Sequence, residues 1–318
     1  MNIDVVIPWV DGADERHRRA RLKHIDVGAN GGGNDFYVQE RSAEIRWKQH
    51  GEIQFCLRTI EAFAPWVNKI FLVTDNQRPE LTGFSRQFLS KINIIDHTEI
   101  FSENLEVLPT FNSATIGSAF WKIQGLSDYF LIFNDDLFFT QPVLPTDFYD
   151  DGKPMVRGRY LRLITNVDSD VAWNHHQINS VRMAGVTGRK YFALAHVCQP
   201  MRRDLLSDFF SKNPELYLDN IAHRFRHKSQ FNLSSLGSQL AIALGEAKLV
   251  HAGPEQDWHT LSAVHAQTKR PLFVKRSLKK FHSPEVKMGC VNDIASCSQK
   301  VPDAWRILED ILDDSHSS

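Results

Sequence analysis

Four apolar runs in the first 140 residues each lead into acids, and this repetition constrains the fold more than any other feature of the chain. Ile3-Asp4-Val5-Val6-Ile7-Pro8 leads through Trp9 and Val10 to Asp11, and Lys69-Ile70-Phe71-Leu72-Val73-Thr74 leads to Asp75. Ile92-Asn93-Ile94-Ile95 ends at Asp96, and Tyr129-Phe130-Leu131-Ile132-Phe133 runs into Asn134-Asp135-Asp136. Short apolar runs bounded by turn residues read as buried strands. Helical patterns separate them. Ile53, Cys56, Leu57, Ile60 and Ala64 recur at helical spacing until Pro65. Ile116, Ala119, Phe120 and Ile123 share a face of a second helix, capped by Asn112 or Ser113 and closed by Gly125. Strands alternating with helices predict an α/β fold: an open, mostly parallel sheet flanked by helices. Ligands of such sheets bind beyond the carboxyl ends of the strands, where Asp11, Asp75 and the Asp135-Asp136 pair are expected.

The second half reads as smaller, and mixed or helical. Tyr191–Ala195 is strand-like and leads into His196, residues 202–218 and 234–247 read as helices, and 305–312 as an amphipathic helix. The expected division is residues 1–150 and 151–318, joined as one integrated catalytic unit. Gly28-Ala29-Asn30-Gly31-Gly32-Gly33-Asn34 reads as a flexible loop. A phosphate loop would need a preceding strand and a Gly-Lys-Ser/Thr ending. Cys56, Cys198, Cys290 and Cys297 form no Cys-x-x-Cys pair, so idle buried thiols in a reducing cytoplasm are expected.

Thirty-seven Lys and Arg against 38 Asp and Glu give a net charge of −1, which argues against a nucleic-acid binder. Locally the balance breaks. Residues 258–284 hold six Lys or Arg, three His and no acid. They read as a solvated basic face or as a contact for a polyanion. No apolar run approaches the roughly 20 residues of a spanning helix, and Met1–Val5 shows no signal-peptide pattern. The expectation is a cytoplasmic protein, able to associate peripherally with the inner membrane face.

Two adjacent carboxylates after a buried strand are costly to ionise unless a cation offsets them. Asn134-Asp135-Asp136 therefore reads as a Mg²⁺ or Mn²⁺ site, against the plainer reading of a solvated acidic turn. His196, at a strand end, is a candidate general base. Arg226 could stabilise phosphate oxygens or lie on a solvated basic face. Asn292-Asp293 reads by default as a turn.

Beyond these patterns, the chain resembles the Stealth family of bacterial sugar-1-phosphate transferases. These are related to the catalytic subunit of the lysosomal-enzyme N-acetylglucosamine-1-phosphotransferase. The resemblance begins at Ile3–Val6 and Trp9-Val10-Asp11-Gly12. It is strongest from Leu57-Arg58-Thr59-Ile60-Glu61 through Ala64-Pro65-Trp66-Val67, Leu72–Gln77, Leu108–Ser113 and Gly125-Leu126-Ser127 to Phe133–Asp136. Looser matches follow at Ala195–Pro200, Arg226–Phe231 and Cys290-Val291-Asn292-Asp293. In two places the chain departs from the family: Glu52-Ile53-Gln54-Phe55 stands where Glu-Leu-Arg-Tyr is common, and Cys198-Gln199 lengthens a usually tighter His-x-Pro.

The resemblance implies a Rossmann-like core akin to GT-A glycosyltransferases, with residues 1–150 binding a nucleotide sugar. It implies transfer of a hexose 1-phosphate, such as N-acetylglucosamine 1-phosphate, from a UDP-sugar to a hydroxyl of a polysaccharide or oligosaccharide acceptor, releasing UMP. By the same resemblance Asp135, Asp136 and Asn292 hold the metal, and His196, Asp136 and Arg226 are catalytic. Asp11, Asp75, Asn112 and Asn134 belong to the donor pocket. A glycosyltransferase releasing UDP and a catalytically silent sugar- or nucleotide-binding module are the alternatives.

Overall fold

The computed structural model describes residues 1–28, 49–163, 172–254 and 256–314. Most of the glycine-rich tract, from residue 29 onward, lies outside them. Strands β1 (Ile3–Pro8), β2 (Ile70–Thr74), β3 (Ile92–Asp96) and β4 (Tyr129–Ile132) form a parallel sheet in the order β3-β2-β1-β4. Strands β5 (Leu137–Phe139), β6 (Tyr149–Asp150), β7 (Lys153–Arg162) and β8 (Lys190–Leu194) follow. The last four are β9 (Gln199–Arg202), β10 (Lys248–His251), β11 (Trp258–Leu261) and β12 (Met288–Val291). β9 joins the first sheet antiparallel to β4, β7 centres a second sheet with β6, β8 and β10, and β11-β12-β5 make a third. The helices of at least six residues are α1 (Glu15–Gly28), α2 (Glu52–Phe63), α3 (Ser113–Ser118) and α4 (Ala172–Met183). They continue with α5 (Arg203–Lys212), α6 (Pro214–Ile221), α7 (Leu233–Ala243) and α8 (Ala263–Thr268). The last are α9 (Pro271–Lys279), α10 (Ile294–Lys300) and α11 (Ala304–Asp314). The expected α/β fold is present, with its sheet mostly parallel.

β1 reads as a continuous apolar run because both of its faces are covered. Val5 and Ile7 pack into a core with α2 and α11, while Val6 joins Phe71, Val73 and Phe130 in a core with α5 and α7. The first of these cores extends from Ile3 to Ile311, so residues from both halves of the chain share it. Asp4 is the polar exception within β1. Its buried carboxylate accepts from Asn68 Nδ2 (2.7 Å), Lys69 N (3.1 Å) and Ser127 N (2.7 Å), which satisfies the charge locally.

Two helix expectations need correction. The helix after Asn112 ends at Ser118 and a 3-10 turn, Phe120–Lys122, follows. Ser118 Oγ donates back to Ala114 O (2.7 Å), and Gly117 is a poor helix former. The stretch 202–218 begins as the end of β9 and then divides at Asn213-Pro214 into α5 and α6, since proline is favoured at a first helical position. Among the described residues no helix is long and apolar enough to cross a membrane.

Two antiparallel pairings position the site. Ile132 of β4 lies opposite Gln199 of β9, so the chain leaving β4 runs beside the chain entering β9. That register brings Asn134 to His196. Likewise Leu137 of β5 pairs with Cys290 of β12, and Val291 N donates to Asp136 O (3.1 Å), which sets Asn292 against Asp136. Gly289 makes the second pairing possible, because a Cβ there would lie 2.3 Å from Phe138 Cε2.

Candidate active site

Asn134, Asp135 and Asp136 form the turn between β4 and β5, closed by Leu137 N donating to Asn134 O (3.2 Å), and all three are half-buried. Asn292 Nδ2 donates to Asp136 Oδ2 (2.6 Å) and stands 3.2 Å from both His196 Nδ1 and Cys290 Sγ. One amide nitrogen thus touches all three groups. One of its hydrogens goes to Asp136 Oδ2, and the same amide nitrogen faces His196 Nδ1. Nε2 lies 3.5 Å from Asn134 Nδ2. Thr260 Oγ1 donates to the His196 carbonyl oxygen (3.4 Å) and ties the loop to β11.

The electrostatics follow from crowding. Burial, then the neighbouring Asp136 carboxylate, pushes Asp135 up to about 7, although a hydrogen bond from Gln49 Nε2 (3.2 Å) opposes the rise. Asp136 Oδ1 is buried without a hydrogen-bond partner. Burial, and then Asp136, raises the Cys290 thiol well above its usual value, so it is a neutral S–H at pH 7. Two crowded carboxylates, one with an unsatisfied oxygen, fit a hard divalent cation. Asp136, His196 and Cys290 also offer ligand atoms within 4.8 Å of one another. Asn292 turns its nitrogen toward Asp136, so it is placed to orient the carboxylate; as a metal ligand it would have to present its oxygen.

The other sequence-derived residues divide between two groups. Asp11, Asp75 and Asp135 share the carboxyl-end rim of the parallel strands. Gln77 clasps this rim by accepting from Asp11 N (2.7 Å) and donating to Asp11 O (3.1 Å), and Gln49 bonds both Val10 O (3.3 Å) and Asp135. Asp75 pairs with Arg16 at 3.4 Å. Arg226 and Asn112 belong elsewhere, around the loop 223–230. Arg226 Nη2 donates to Ser113 Oγ (2.8 Å). Asn112 is fully buried; its Oδ1 caps α3 at Ala114 N (3.0 Å), and its Nδ2 donates to His223 O and Gln230 Oε1, both 2.9 Å. It works here as an internal strut between the start of α3 and the loop 223–230.

Sequence reasoning missed Gln49 and Cys290. Gln49 carried no pattern. Cys290 did carry one, because residues 290 and 292 of an extended segment point to the same face. The four cysteines are free and buried as expected, and Cys290 borders the Asp136 carboxylate.

Comparison with known proteins bears on this site directly. Residues 46–156 match the family model described as Stealth protein CR2, conserved region 2, and residues 1–23 match that of CR1, conserved region 1. This chain belongs to the Stealth family. The Stealth chain is 29% identical over 306 residues to the capsular polysaccharide phosphotransferase fcs1 of Haemophilus influenzae, covering 92% of this chain and 79% of that one. It is 34% identical over 181 residues to the receptor polysaccharide phosphotransferase WefC of Streptococcus gordonii, covering 56% of this chain and 50% of that one. The chain therefore spans about half the length of the latter relative. Among solved structures it is similar to the galactosyltransferase LgtC in complex with donor and acceptor sugar analogs (TM-score 0.43, 10% identity, 98% and 95% coverage). It is also similar to mouse xyloside xylosyltransferase 1 (TM-score 0.40, 9% identity, 91% and 97% coverage). Within the Stealth chain, Asp11 lies in region 1 and Asp135-Asp136 in region 2. His196 and Asn292 fall outside both matches and arrive through β9 and β12.

Proposed function

We propose that this Stealth chain transfers a hexose 1-phosphate from a UDP-sugar to a sugar hydroxyl of a capsular or exopolysaccharide acceptor. The products are a phosphodiester and UMP. The carrying observation is that Asp136 and His196 come together beyond the carboxyl ends of the parallel strands, with Asp135 the preceding residue of the same turn. The naming of the relatives as polysaccharide phosphotransferases supports the reaction class.

Phosphoryl transfer is catalysed largely by positioning and by charge stabilisation. Asp135 and Asp136 would hold Mg²⁺ or Mn²⁺, which when bound supplies positive charge against the pyrophosphate. Asp11, Asp75 and Asn134 would line the donor side, and Arg226, on the loop 223–230, would serve phosphate oxygens. The His196 imidazole accepts the proton of the attacking hydroxyl, whose oxygen bonds to the β-phosphorus as the bond from that phosphorus to the UMP oxygen breaks. Asn292 orients both His196 and Asp136.

Incubation with UDP-N-acetylglucosamine, Mg²⁺ and a capsule-type oligosaccharide, followed by ³¹P NMR, should show a phosphodiester and UMP. Release of UDP instead would mean glycosyl transfer, and binding without product a silent module. A general base contributes about 10²–10⁴-fold, so His196→Ala should lose turnover on that scale with donor affinity nearly unchanged. Full activity in that variant would remove His196 from the mechanism.

A further inference from the structure

The basic tract 258–284 folds into β11, α8, α9 and the 3-10 turn Lys280–His282. α9 buries Val274, Ser277 and Leu278 and exposes Leu272, Phe273, Arg276 and Lys279. Residues 272, 276 and 279 follow helical spacing and share a face. Leu272 is 62% exposed, Phe273 44%, and Val264 on α8 65%. The two helices meet at this face, where the His265 ring lies 5.7 Å from Phe273 and Lys269 Nζ stands 5.9 Å from the same ring. Lys300 adds another cation by donating to Lys269 O (2.8 Å). Lys275 differs from its neighbours, because Asp303 engages it at 2.8 Å.

Scattered exposed hydrophobic residues are ordinary. Here Leu272 and Phe273 are adjacent on α9, and Val264 precedes His265, whose ring packs on Phe273, all within a cationic tract that contains no acid. A hydrophilic polyanion would engage the cations and leave the three hydrocarbon side chains in water. An anionic lipid leaflet uses both, since cations bind headgroup phosphates and apolar side chains enter the acyl boundary. We propose that the α8–α9 face docks on an anionic lipid surface. Val264, Leu272 and Phe273 dip below the headgroups, and Arg276, Lys279 and Lys280 lie on lipid phosphates. This places the active site beside the leaflet, because Gln267 of α8 donates to Asp293 Oδ2 (2.8 Å), next to Asn292. The inference does not rest on the reaction assigned above.

Co-sedimentation of the full chain with phosphatidylcholine vesicles, with and without phosphatidylglycerol, tests it. Binding should require the anionic lipid and weaken with salt. At about a tenfold-to-hundredfold total effect for three surface cations, Arg276→Gln, Lys279→Gln and Lys280→Gln together should sharply lower the partition coefficient. Leu272→Ser with Phe273→Ser should lower it by roughly tenfold or more. Unchanged melting temperatures would separate these losses from unfolding. In the otherwise intact surface, Phe273→Trp should shift its emission to the blue on adding anionic vesicles. Three results would overturn the proposal: no vesicle binding, binding to soluble polyphosphate but not to vesicles, or binding indifferent to residues 272 and 273.

Discussion

Replacing Asp135 by Asn removes one of two carboxylates that crowd each other at the end of β4. Burial and Asp136 raise the folded-state value of Asp135 from 3.8 to about 7. A shift of roughly three units corresponds to at most about 4 kcal/mol. Asp135 is only half-buried, so screening leaves about 1–2 kcal/mol of this. Because the folded value is raised, its stabilising contribution is complete below pH 4 and is lost as pH climbs through 7. Metal-free wild type should thus weaken between about pH 4 and 8, and Asp135→Asn should not. At pH 8 with chelator the variant should melt roughly 1.5–3 °C higher, and at pH 4 the two should coincide. Saturating Mn²⁺ reverses the order, since about 100 Kd of ligand stabilises a competent site by about 2.7 kcal/mol. Scanning calorimetry at both pH values, with chelator and with Mn²⁺, reads all these quantities. A metal-free variant less stable than wild type at pH 8, or a wild type whose melting ignores Mg²⁺ and Mn²⁺, would refute the assignment of the pair as a cation site.

Other perturbations test the frame around the site. Gly289→Ala places a methyl 2.3 Å from Phe138 Cε2; it should cost about 1–3 kcal/mol and displace Cys290 and Asn292, lowering both melting temperature and kcat, with partial recovery on adding Phe138→Leu. Arg157, 2% exposed, pairs with Asp257 at 2.7 and 2.5 Å, so Asp257→Ala should strand a buried cation and cost about 3–5 kcal/mol in chemical denaturation. A loss under 1 kcal/mol there would mean that water replaces the carboxylate easily.

The carboxyl-end acids were legible because each strand is a local run whose burial on both faces leaves an unbroken apolar signature. The Asp135-Asp136 pair stood out for the same reason, as charge directly after such a run. Asn112 shows the limit of that reading. A polar residue opening a helix looks the same whether it caps the helix inward or faces a ligand, and here it caps. The basic tract was visible as charge, but its apolar component emerged only once the fold left Val264, Leu272 and Phe273 exposed and packed His265 of α8 against Phe273 of α9.

Local order along the chain determined the α/β class, the acids at the strand ends and the carboxylate pair, because these depend on residues a few positions apart. Tertiary structure alone decided that His196, Cys290 and Asn292 meet that pair. Their approach depends on two antiparallel registers, β4 with β9 and β5 with β12, that join segments far apart in sequence. A one-residue slip in either register would turn those side chains to the opposite face. Their convergence is therefore a property of the packed sheets, held in place by Gly289 beneath Phe138, and no single segment encodes it.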